Sequence, residues 1–176
     1  MPLLEPTPEN YKVCLMRLID EDANKFDVTT SIKIFFMMSD IRLITPDTNE
    51  LSDGEIAIYD AKNFSYKHIT KLVLSSLRVF MKFTQEALPI RIQQIHVLNC
   101  SPIMDRAMSL IRPMVMSKVF KRIHFHKPGS DTLFKYIPKT IMPQEYGGDA
   151  GPIEDLNKYW MDKIDQNRFV TQMCIF

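Results

Sequence analysis

The sequence has 176 residues, of which 45% are hydrophobic and 24% are charged, and this composition is that of an ordinary globular protein. It excludes a disordered chain, a collagen-like repeat and a coiled coil, and the length fits one domain. The 22 Lys and Arg residues almost balance the 21 Asp and Glu residues, so we expect no general attraction to nucleic acid.

Hydrophobic spacing predicts alternating strands and helices after an irregular lead-in over residues 1–11. A polar break is predicted over residues 45–53. The predicted elements are, in chain order, a strand over 11–18, a helix over 26–44, a strand over 54–59, a helix over 68–87, a strand over 90–98, a helix over 101–116, a strand within 119–126, and helices over 131–136 and 153–164. This order predicts an α/β fold with a mixed, mostly parallel β-sheet flanked by helices.

The cysteines and the N-terminus indicate the compartment. Cys14, Cys100 and Cys174 are odd in number, widely spaced and form no C-x-x-C motif, which favours a reducing environment. The first residues lack the apolar core of a signal peptide, and no window reaches the ~20 apolar residues of a membrane span. We therefore expect a soluble, cytoplasmic, monomeric domain.

Motifs for nucleotide binding and covalent catalysis are missing from the sequence. The five glycines, at positions 54, 129, 147, 148 and 151, cannot form G-x-G-x-x-G or G-x-x-x-x-G-K-[ST]. There is no G-x-S-x-G elbow, and Cys14 and Cys100 lie within or beside predicted strands, where burial leaves a thiol unreactive. We expect no enzymatic activity and no cofactor.

Three histidines could suggest a metal site or a base. His124 and His126 are two residues apart on a predicted strand, so both rings point to one side, but no third ligand follows at a recognised spacing. We interpret them as a half-exposed strand face and expect no metal. His96 lies between Ile95 and Val97 and is interpreted as a core histidine with satisfied hydrogen bonds.

A methionine-rich helix is the more informative feature. Four of the twelve methionines fall between residues 101 and 116, on a helix with a wide apolar face. Pro113 removes a backbone hydrogen bond, which predicts a kink or an early end. Since methionine adapts to varied apolar partners, the pattern fits either a plain core helix or a movable cover over an apolar cavity.

The residues after this helix are basic. Residues 112–127 contain five Lys or Arg, two His and no acid, whereas residues 145–165 contain six acids and two lysines. Such a patch could dock weakly on an anionic membrane leaflet, where each Lys or Arg adds about 1 kcal/mol. It could equally be the solvated edge of the sheet, kept from aggregating by its charges.

Four segments, taken together, resemble one known family. The string MPQEYGG at residues 142–148 closely resembles the L-P-x-E-Y-G-G signature of CRAL-TRIO lipid-binding domains. Three further segments agree with the alpha-tocopherol transfer protein and cellular retinaldehyde-binding protein branch: Ile58-Tyr59-Asp60, the IHVLN string at 95–99, and Ile111-Arg112-Pro113 with Lys118 and Arg122-Ile123-His124. The resemblance covers residues 12–165 as the domain and leaves 166–176 as a C-terminal tail.

The resemblance implies that the sheet forms the floor of an apolar lipid cavity and that the helix over 102–116 is a mobile gate. The residues expected to line this cavity are Phe35, Ser39, Tyr59, Phe80, Phe83, Ile92, Ile95, Met104, Met108 and Ile111. Among them, Ser39 and Tyr59 could orient one polar group of the ligand, since a buried polar group needs a partner. The residues expected to contact phosphoinositides and the membrane are Arg91, Lys118, Lys121 and Arg122.

Some positions depart from the family pattern. Gln93 replaces an arginine expected in the phosphoinositide cleft, which puts full affinity for phosphoinositides in question. Pro102 comes one residue later after Asn99 than in the family, so the first turn of the gate is expected to differ. We expect the N-terminal bundle of short helices that the family carries to be absent.

The resemblance therefore implies a lipid carrier. The expected function is to bind a small hydrophobic lipid, such as a tocopherol, a retinoid or another isoprenoid, and to transfer it between membranes at whose surface the protein is transiently bound. The alternative is a phosphoinositide-responsive interaction module that holds a lipid as a structural ligand. A small hydrolase on an α/β sheet is the third possibility.

Overall fold

Four parallel strands in the order β1-β2-β3-β4 form the sheet around which the chain is arranged. The structure, a computed structural model, describes residues 1–44 and 52–167. Residues 45–51 of the predicted polar break, residues 168–176 of the predicted tail and Cys174 therefore lie outside the described residues. The strands are β1 (Tyr11–Arg17), β2 (Gly54–Asp60), β3 (Ile92–Leu98) and β4 (Ile123–Phe125).

Helices connect the strands, as the alternating sequence pattern predicts. The α-helices are α1 (Val28–Ile44), α2 (Tyr66–Thr70), α3 (Leu74–Glu86), α4 (Ile103–Ile111), α5 (Ser117–Phe120) and α6 (Ile153–Gln166). Short 3₁₀ turns cover Arg112–Met114, Asp131–Lys135, Lys139–Ile141 and Gln144–Tyr146. The predicted α/β class is confirmed. No helix in the described part of the chain combines the length and apolarity needed to cross a bilayer.

The predicted single helix over 68–87 is wrong. The segment forms α2 and α3, and the chain between them is extended at Val73, with φ −87° and ψ 101°. His68 accounts for the start of the first helix, because its Nδ1 lies 3.1 Å from the backbone nitrogen of Ser65 and 2.8 Å from the Ser65 hydroxyl. The side chain of His68 thus caps a helix that begins at Tyr66. The apolar residues before and after the break keep one helical spacing, so the sequence predicts a single helix.

Two other predicted boundaries differ for identifiable reasons. The helix predicted to reach residue 116 ends at Ile111, and a 3₁₀ turn containing Pro113 follows, as the early-end interpretation of that proline predicts. Strand β3 begins at Ile92 rather than at residue 90. A register shift between Glu55 and Ile56 interrupts its pairing with β2 just after that point.

The two faces of the sheet are packed differently. Because side chains alternate along a strand, Val13, Ile56 and Leu98 point to one face, which we call the core face. Side chains of this face form one hydrophobic cluster with α6, the 3₁₀ turns, Leu3 and Ile41 of α1. Its buried members are Leu3, Val13, Leu15, Ile41, Ile56, Ile58, Leu98, Leu133, Ile137, Ile141, Met142, Ile153, Leu156 and Trp160. The opposite face, which we call the open face, carries Ala57, Tyr59 and Ile95.

The first residues of the chain lie along the outer edge of β1. Pro2 pairs antiparallel with Cys14, and the backbone nitrogen of Leu3 donates to the carbonyl of Val13 at 2.8 Å. The indole nitrogen of Trp160, on α6, donates to the carbonyl of Pro2 at 2.7 Å. The start of the chain is thus joined to both the sheet and the last helix.

The MPQEYGG segment is a structural connector. Glu145 accepts from the backbone nitrogen of Ile153 through both carboxylate oxygens, at 3.0 Å each, and so caps α6. The Tyr146 hydroxyl donates to Asp60 Oδ2 at 2.9 Å, and Asn99 Nδ2 donates to Asp60 Oδ1 at 2.7 Å. The carboxylate at the end of β2 therefore joins the end of β3 to this segment.

Replacing Gly148 should test this connector. A Cβ at that position would lie 2.0 Å from the carbonyl oxygen of Met142, so Gly148→Ala is expected to lower the free energy of unfolding by about 3 kcal/mol or more. Gly129→Ala is the matched control, since its Cβ meets nothing within 4 Å and only its positive φ adds a cost of about 1 kcal/mol. Urea unfolding measures both, and equal losses would contradict the packing argument.

Candidate functional site

Three of the residues predicted to line a cavity lie together on the open face of the sheet. Tyr59 belongs to β2, and Ile92 and Ile95 belong to β3. The register pairs Ile92 with Glu55 and Ile95 with Ala57, which places all three side chains on the face that also bears Tyr59. Each is half-buried.

Three further predicted residues meet between α1 and α3. The rings of Phe35 and Phe80 are edge-to-face with centroids 5.1 Å apart, and Phe83 lies 4.9 Å from Phe36. Phe36 also lies 6.0 Å from Phe80, so four phenylalanines form one cluster. The sequence places Phe36 on the same helical face as Phe35, but the predicted set omits it. Such edge-to-face contacts hold the two helices together.

Ser39 lies deeper than a lining residue. It is only 4% exposed, and its hydroxyl donates to the carbonyl of Phe35 at 2.9 Å. Three residues further along α1, the guanidinium of Arg42 pairs with Glu55 on β2 at 2.8 Å, with both side chains almost fully buried. This ion pair joins α1 to the sheet. Neither residue is among the predicted site residues, because a polar break separates them in the sequence.

The remaining predicted lining residues, Met104, Met108 and Ile111, lie on α4 and are half-buried. We call α4 the gate helix. Ala107 on the same helix is 2% exposed, whereas Leu110 faces solvent. Near its start, the Arg106 guanidinium donates to the Tyr66 hydroxyl at 2.9 Å.

Gln85 holds the chain just after the gate helix. Its Nε2 donates to the carbonyl of Met114 at 3.0 Å, and its Oε1 accepts from the backbone nitrogen of Met116 at 2.7 Å. A single side chain of α3 therefore binds both sides of Val115, which is buried. At the other end of the gate helix, Asn99 has a left-handed backbone with φ 55°. These two positions bound the segment that could move as a unit.

Two depressions beside the lining helices are open to solvent, and neither of them joins the three groups of lining residues. These shallow depressions, of about 260 Å³ and 330 Å³, lie along α1 and α3 and share Val79. Of the predicted lining residues, only Phe83 borders either depression. Even so, no predicted lining residue belongs to the hydrophobic cluster of the core face.

The predicted basic residues differ in what they contact. Lys118 and Lys121 are exposed at α5, and Arg91 is exposed just before β3. The half-buried Arg122 donates from its guanidinium to the carbonyl of Ile92. It therefore ties the start of β4 to β3 and is a structural residue as well as a candidate contact for an anion.

His124 is half-exposed on β4, as the sequence predicts, but His126 follows the strand and is buried. His126 is 4% exposed and its Nε2 lies 2.9 Å from Nδ1 of His96, which is fully buried. His96 is thus the satisfied core histidine that its apolar neighbours predict. Within residues 1–44 and 52–167, no group of three or more histidine, cysteine or acidic side chains is arranged to hold a metal ion.

The thiols and one phenol of this region are held in their neutral forms. Burial raises the pKa of both Cys14 and Cys100 above the ordinary value, as expected for unreactive thiols. Burial also raises the pKa of Tyr59, and the nearby Cys14 and Glu55 add to the effect. The hydroxyl of Tyr59 is therefore a neutral hydrogen-bonding group at physiological pH.

The comparison with known families settles the relationship of the chain. The family model of the CRAL/TRIO domain matches residues 1–148. The chain belongs to the CRAL/TRIO domain family. This membership accounts for the MPQEYGG segment, the parallel sheet and the helix that follows β3.

Individual CRAL/TRIO proteins are distant relatives. The human protein "Alpha-tocopherol transfer protein-like" is 23% identical over 151 residues, covering 86% of this chain and 44% of its own length. Mouse "Clavesin-1" is 26% identical over 143 residues, covering 81% of this chain and 40% of its own. The chain thus spans less than half the length of these relatives.

A solved structure supports the fold. The crystal structure of Sfh5 superposes with a TM-score of 0.63 at 17% identity, covering 84% of this chain and 53% of that one. At this level of identity the likeness concerns the architecture alone.

The clasp formed by Gln85 can be tested by substitution. Gln85→Met keeps the length of the side chain but removes both hydrogen bonds to the segment after the gate helix. We expect the Met116 amide to exchange with solvent about fivefold faster, because a hydrogen bond contributes about 1 kcal/mol. Hydrogen exchange measures this, and Gln144→Met, at an exposed glutamine elsewhere, should leave the rate unchanged. An unaltered rate in Gln85→Met would refute the clasp.

Proposed function

We propose that this chain binds a small hydrophobic lipid against the open face of the sheet and transfers it between membranes. The ligand class is an isoprenoid of tocopherol or retinoid type. The CRAL/TRIO family is known for binding and transferring lipophilic ligands, and one relative is named "Alpha-tocopherol transfer protein-like". No covalent step is part of the proposal.

The packing of the two sheet faces is the observation that carries this proposal. The chain fills the core face with its own side chains, while the predicted lining residues on the open face, α1, α3 and the gate helix stay outside that cluster. Phe35, Phe80 and Met108, for example, are only half-buried. Apolar surface that the chain does not bury itself is available to an apolar ligand.

The hydrophobic effect supplies enough free energy for such binding. Burying about 400 Å² of apolar ligand surface at ~25 cal/mol per Å² contributes about 10 kcal/mol. Lost translation, rotation and side-chain freedom offset part of this gain. The balance corresponds to affinities in the micromolar range, with about 50 nM as the upper limit.

The gate helix provides the route for the ligand. We infer that the gate helix moves as a unit whose two ends are Asn99 and the segment held by Gln85. The hydrogen bond of Arg106 to Tyr66 is exposed, so water can replace it when the helix moves. Opening would uncover Met104, Met108 and Ile111 together, and a bilayer surface is the environment in which exposed apolar residues are least unfavourable.

Anionic lipid headgroups are the proposed membrane partner. Lys118, Lys121 and Arg91 are exposed, and Arg122 keeps guanidinium nitrogens beyond the one that binds Ile92. Several cations on one surface give weak and reversible attachment to a phosphoinositide-containing leaflet. Gln93, at the position where the family resemblance predicts an arginine, adds no charge to this surface. Its side-chain amide donates to the carbonyl of Asp53 at 3.3 Å.

Native mass spectrometry of the purified chain tests lipid binding directly. We expect a population whose excess mass matches one lipid, and extraction with organic solvent should release a neutral isoprenoid. Phe80→Asp, which places a charge in the phenylalanine cluster, should remove the bound mass. A protein that is lipid-free after mild purification and takes up no tocopherol from vesicles would refute the proposal.

The double variant Lys118→Ala/Lys121→Ala tests the membrane contact without disturbing Arg122. At about 1 kcal/mol per cation, binding to phosphatidylcholine vesicles containing phosphatidylinositol 4,5-bisphosphate should weaken about thirtyfold in sedimentation assays. Lys62→Ala/Lys158→Ala, two exposed lysines outside the patch, is the control. Transfer of a fluorescent tocopherol between vesicles should fall in parallel. Lost binding with no measurable transfer even in the wild type would indicate a regulatory lipid-binding module instead.

A further inference from the structure

The side chains of His96 and His126 form a buried hydrogen bond that joins β3 to the residue following β4. Nδ1 of His96 and Nε2 of His126 are 2.9 Å apart. His96 is fully buried and His126 is 4% exposed, so water does not compete for this contact. Only one hydrogen can occupy the space between the two nitrogens.

The neighbouring groups fix which nitrogen carries that hydrogen. The amide oxygen Oε1 of Gln94 lies 2.9 Å from Nε2 of His96 and can only accept, so Nε2 of His96 carries a hydrogen and its Nδ1 accepts. The shared hydrogen therefore belongs to Nε2 of His126. Nδ1 of His126 in turn accepts from the Thr132 hydroxyl, 2.7 Å away. Every nitrogen has a partner when both rings are neutral.

Protons disturb this arrangement in two steps. A first proton can be held if the chain of hydrogen bonds reverses through the hydroxyls of Thr132 and Ser130, which are 2.9 Å apart, but it leaves a charge in a buried site. A second proton places N–H against N–H across the contact. His124 stacks on His96 with centroids 5.1 Å apart, so a charge on His124 would also repel the charges on the pair.

Within residues 1–44 and 52–167, the side chains that contact the pair include no acid. The groups facing the pair are Gln94 on β3, His124 on β4, and Thr132 and the Tyr136 ring on the following segment. Burial lowers the pKa of His96 to about 3, with the charges of His126 and His124 adding to it, and burial also lowers the pKa of His126. The charged residues of the same segment, Lys127, Asp131 and Lys135, are exposed.

The pair is connected to the start of the gate helix through the backbone. The nitrogen of His126 donates to the carbonyl of Val97 at 2.8 Å, and the nitrogen of Cys100 donates to the carbonyl of His126 at 2.9 Å. Cys100 lies between Asn99, with its left-handed backbone, and Ile103, where the gate helix begins. A displacement of His126 therefore frees the backbone that leads into the gate.

We propose that the His96–His126 pair is an acid-sensitive latch that holds β4 and the start of the gate helix against β3, and that acidification releases both. That this release lets the lipid leave rests on the proposed function, whereas the latch itself does not. The regulation would couple cargo release to the local proton concentration.

The expected size of the response follows from proton linkage. A released His96 titrates near its ordinary pKa of 6.5, whereas the latched ring titrates at about 3. The latched state is therefore fully favoured above pH 6.5 and loses stability as the pH falls below it. Between pH 7.5 and pH 5.0, His96 alone shifts the balance toward the released state about thirtyfold.

Hydrogen exchange of the intact chain at these two pH values tests the latch. After correction for intrinsic rates, the amides of Cys100 and His126 should exchange about thirtyfold or more faster at pH 5.0. The amides of β1 and β2 should change little. A uniform acceleration across the sheet would mean ordinary acid unfolding and would overturn the proposal, as would no acceleration at all.

Two substitutions separate the latch from general acid sensitivity. His96→Gln removes the titrating ring and should reduce the acceleration at Cys100 to a few-fold at most, and His126→Gln serves the same purpose if the first variant does not fold. His124→Gln, whose ring stacks on the pair without joining its hydrogen bonds, is the control that should keep the response. An undiminished response in the folded His96→Gln or His126→Gln variant contradicts the latch.

Transfer of fluorescent tocopherol between phosphatidylcholine vesicles distinguishes the two proposals. In the wild type, transfer should be several-fold faster at pH 5.0 than at pH 7.5, and His96→Gln should remove the difference. If amide hydrogen exchange depends on pH but no tocopherol is transferred at either pH, the proposed function is overturned and the latch is not. Transfer that ignores pH, together with flat exchange, overturns the latch alone.

Discussion

The unequal filling of the two sheet faces is the constraint on which the rest of this structure depends. A parallel sheet must be covered on both sides, because its strands present apolar side chains to each. Here α6 and the 3₁₀ turns fill one side with a continuous cluster that includes Trp160 and Met142. The other side is covered by helices on which Phe35, Phe80 and Met108 remain half-buried. This incomplete covering is consistent with a family that binds lipophilic ligands.

Asp60 shows that the MPQEYGG segment has a structural role. Its carboxylate receives hydrogen bonds from Asn99, at the end of β3, and from Tyr146. The pKa of Tyr146 is raised by burial and by its bond to Asp60, so the phenol keeps its proton. Through Asp60, Tyr146 thus helps to fix the position of Asn99, which precedes the gate helix.

The sequence predicts much of the fold because the decisive signals are local. Alternation and helical spacing identify the strands from Tyr11 to Phe125 and the last helix, and Pro113 predicts the early end of the gate helix. The break at Val73 was missed because the apolar period continues through it. Local patterns cannot show that His68 caps a helix instead of lengthening one.

The candidate site was predicted less completely because its contacts join residues far apart in sequence. The clasp from Gln85 to Met116, the pair of Arg42 with Glu55 and the contact between His96 and His126 each depend on how separate elements come together. Arg122 was assigned as a phosphoinositide contact from the family resemblance, which does not reveal its bond to Ile92.

The residues that lie along β1 have a consequence for how the molecule behaves in a crowded solution. Unpaired strand borders invite neighbouring chains to add to a sheet. Here the antiparallel contact of Pro2 with Cys14 occupies one border, and the other is formed by β4, which is only three residues long and flanked by lysines. Although apolar side chains on one face of the sheet are only half-buried, the edges of the sheet therefore present few backbone groups to which a strand of another molecule could pair.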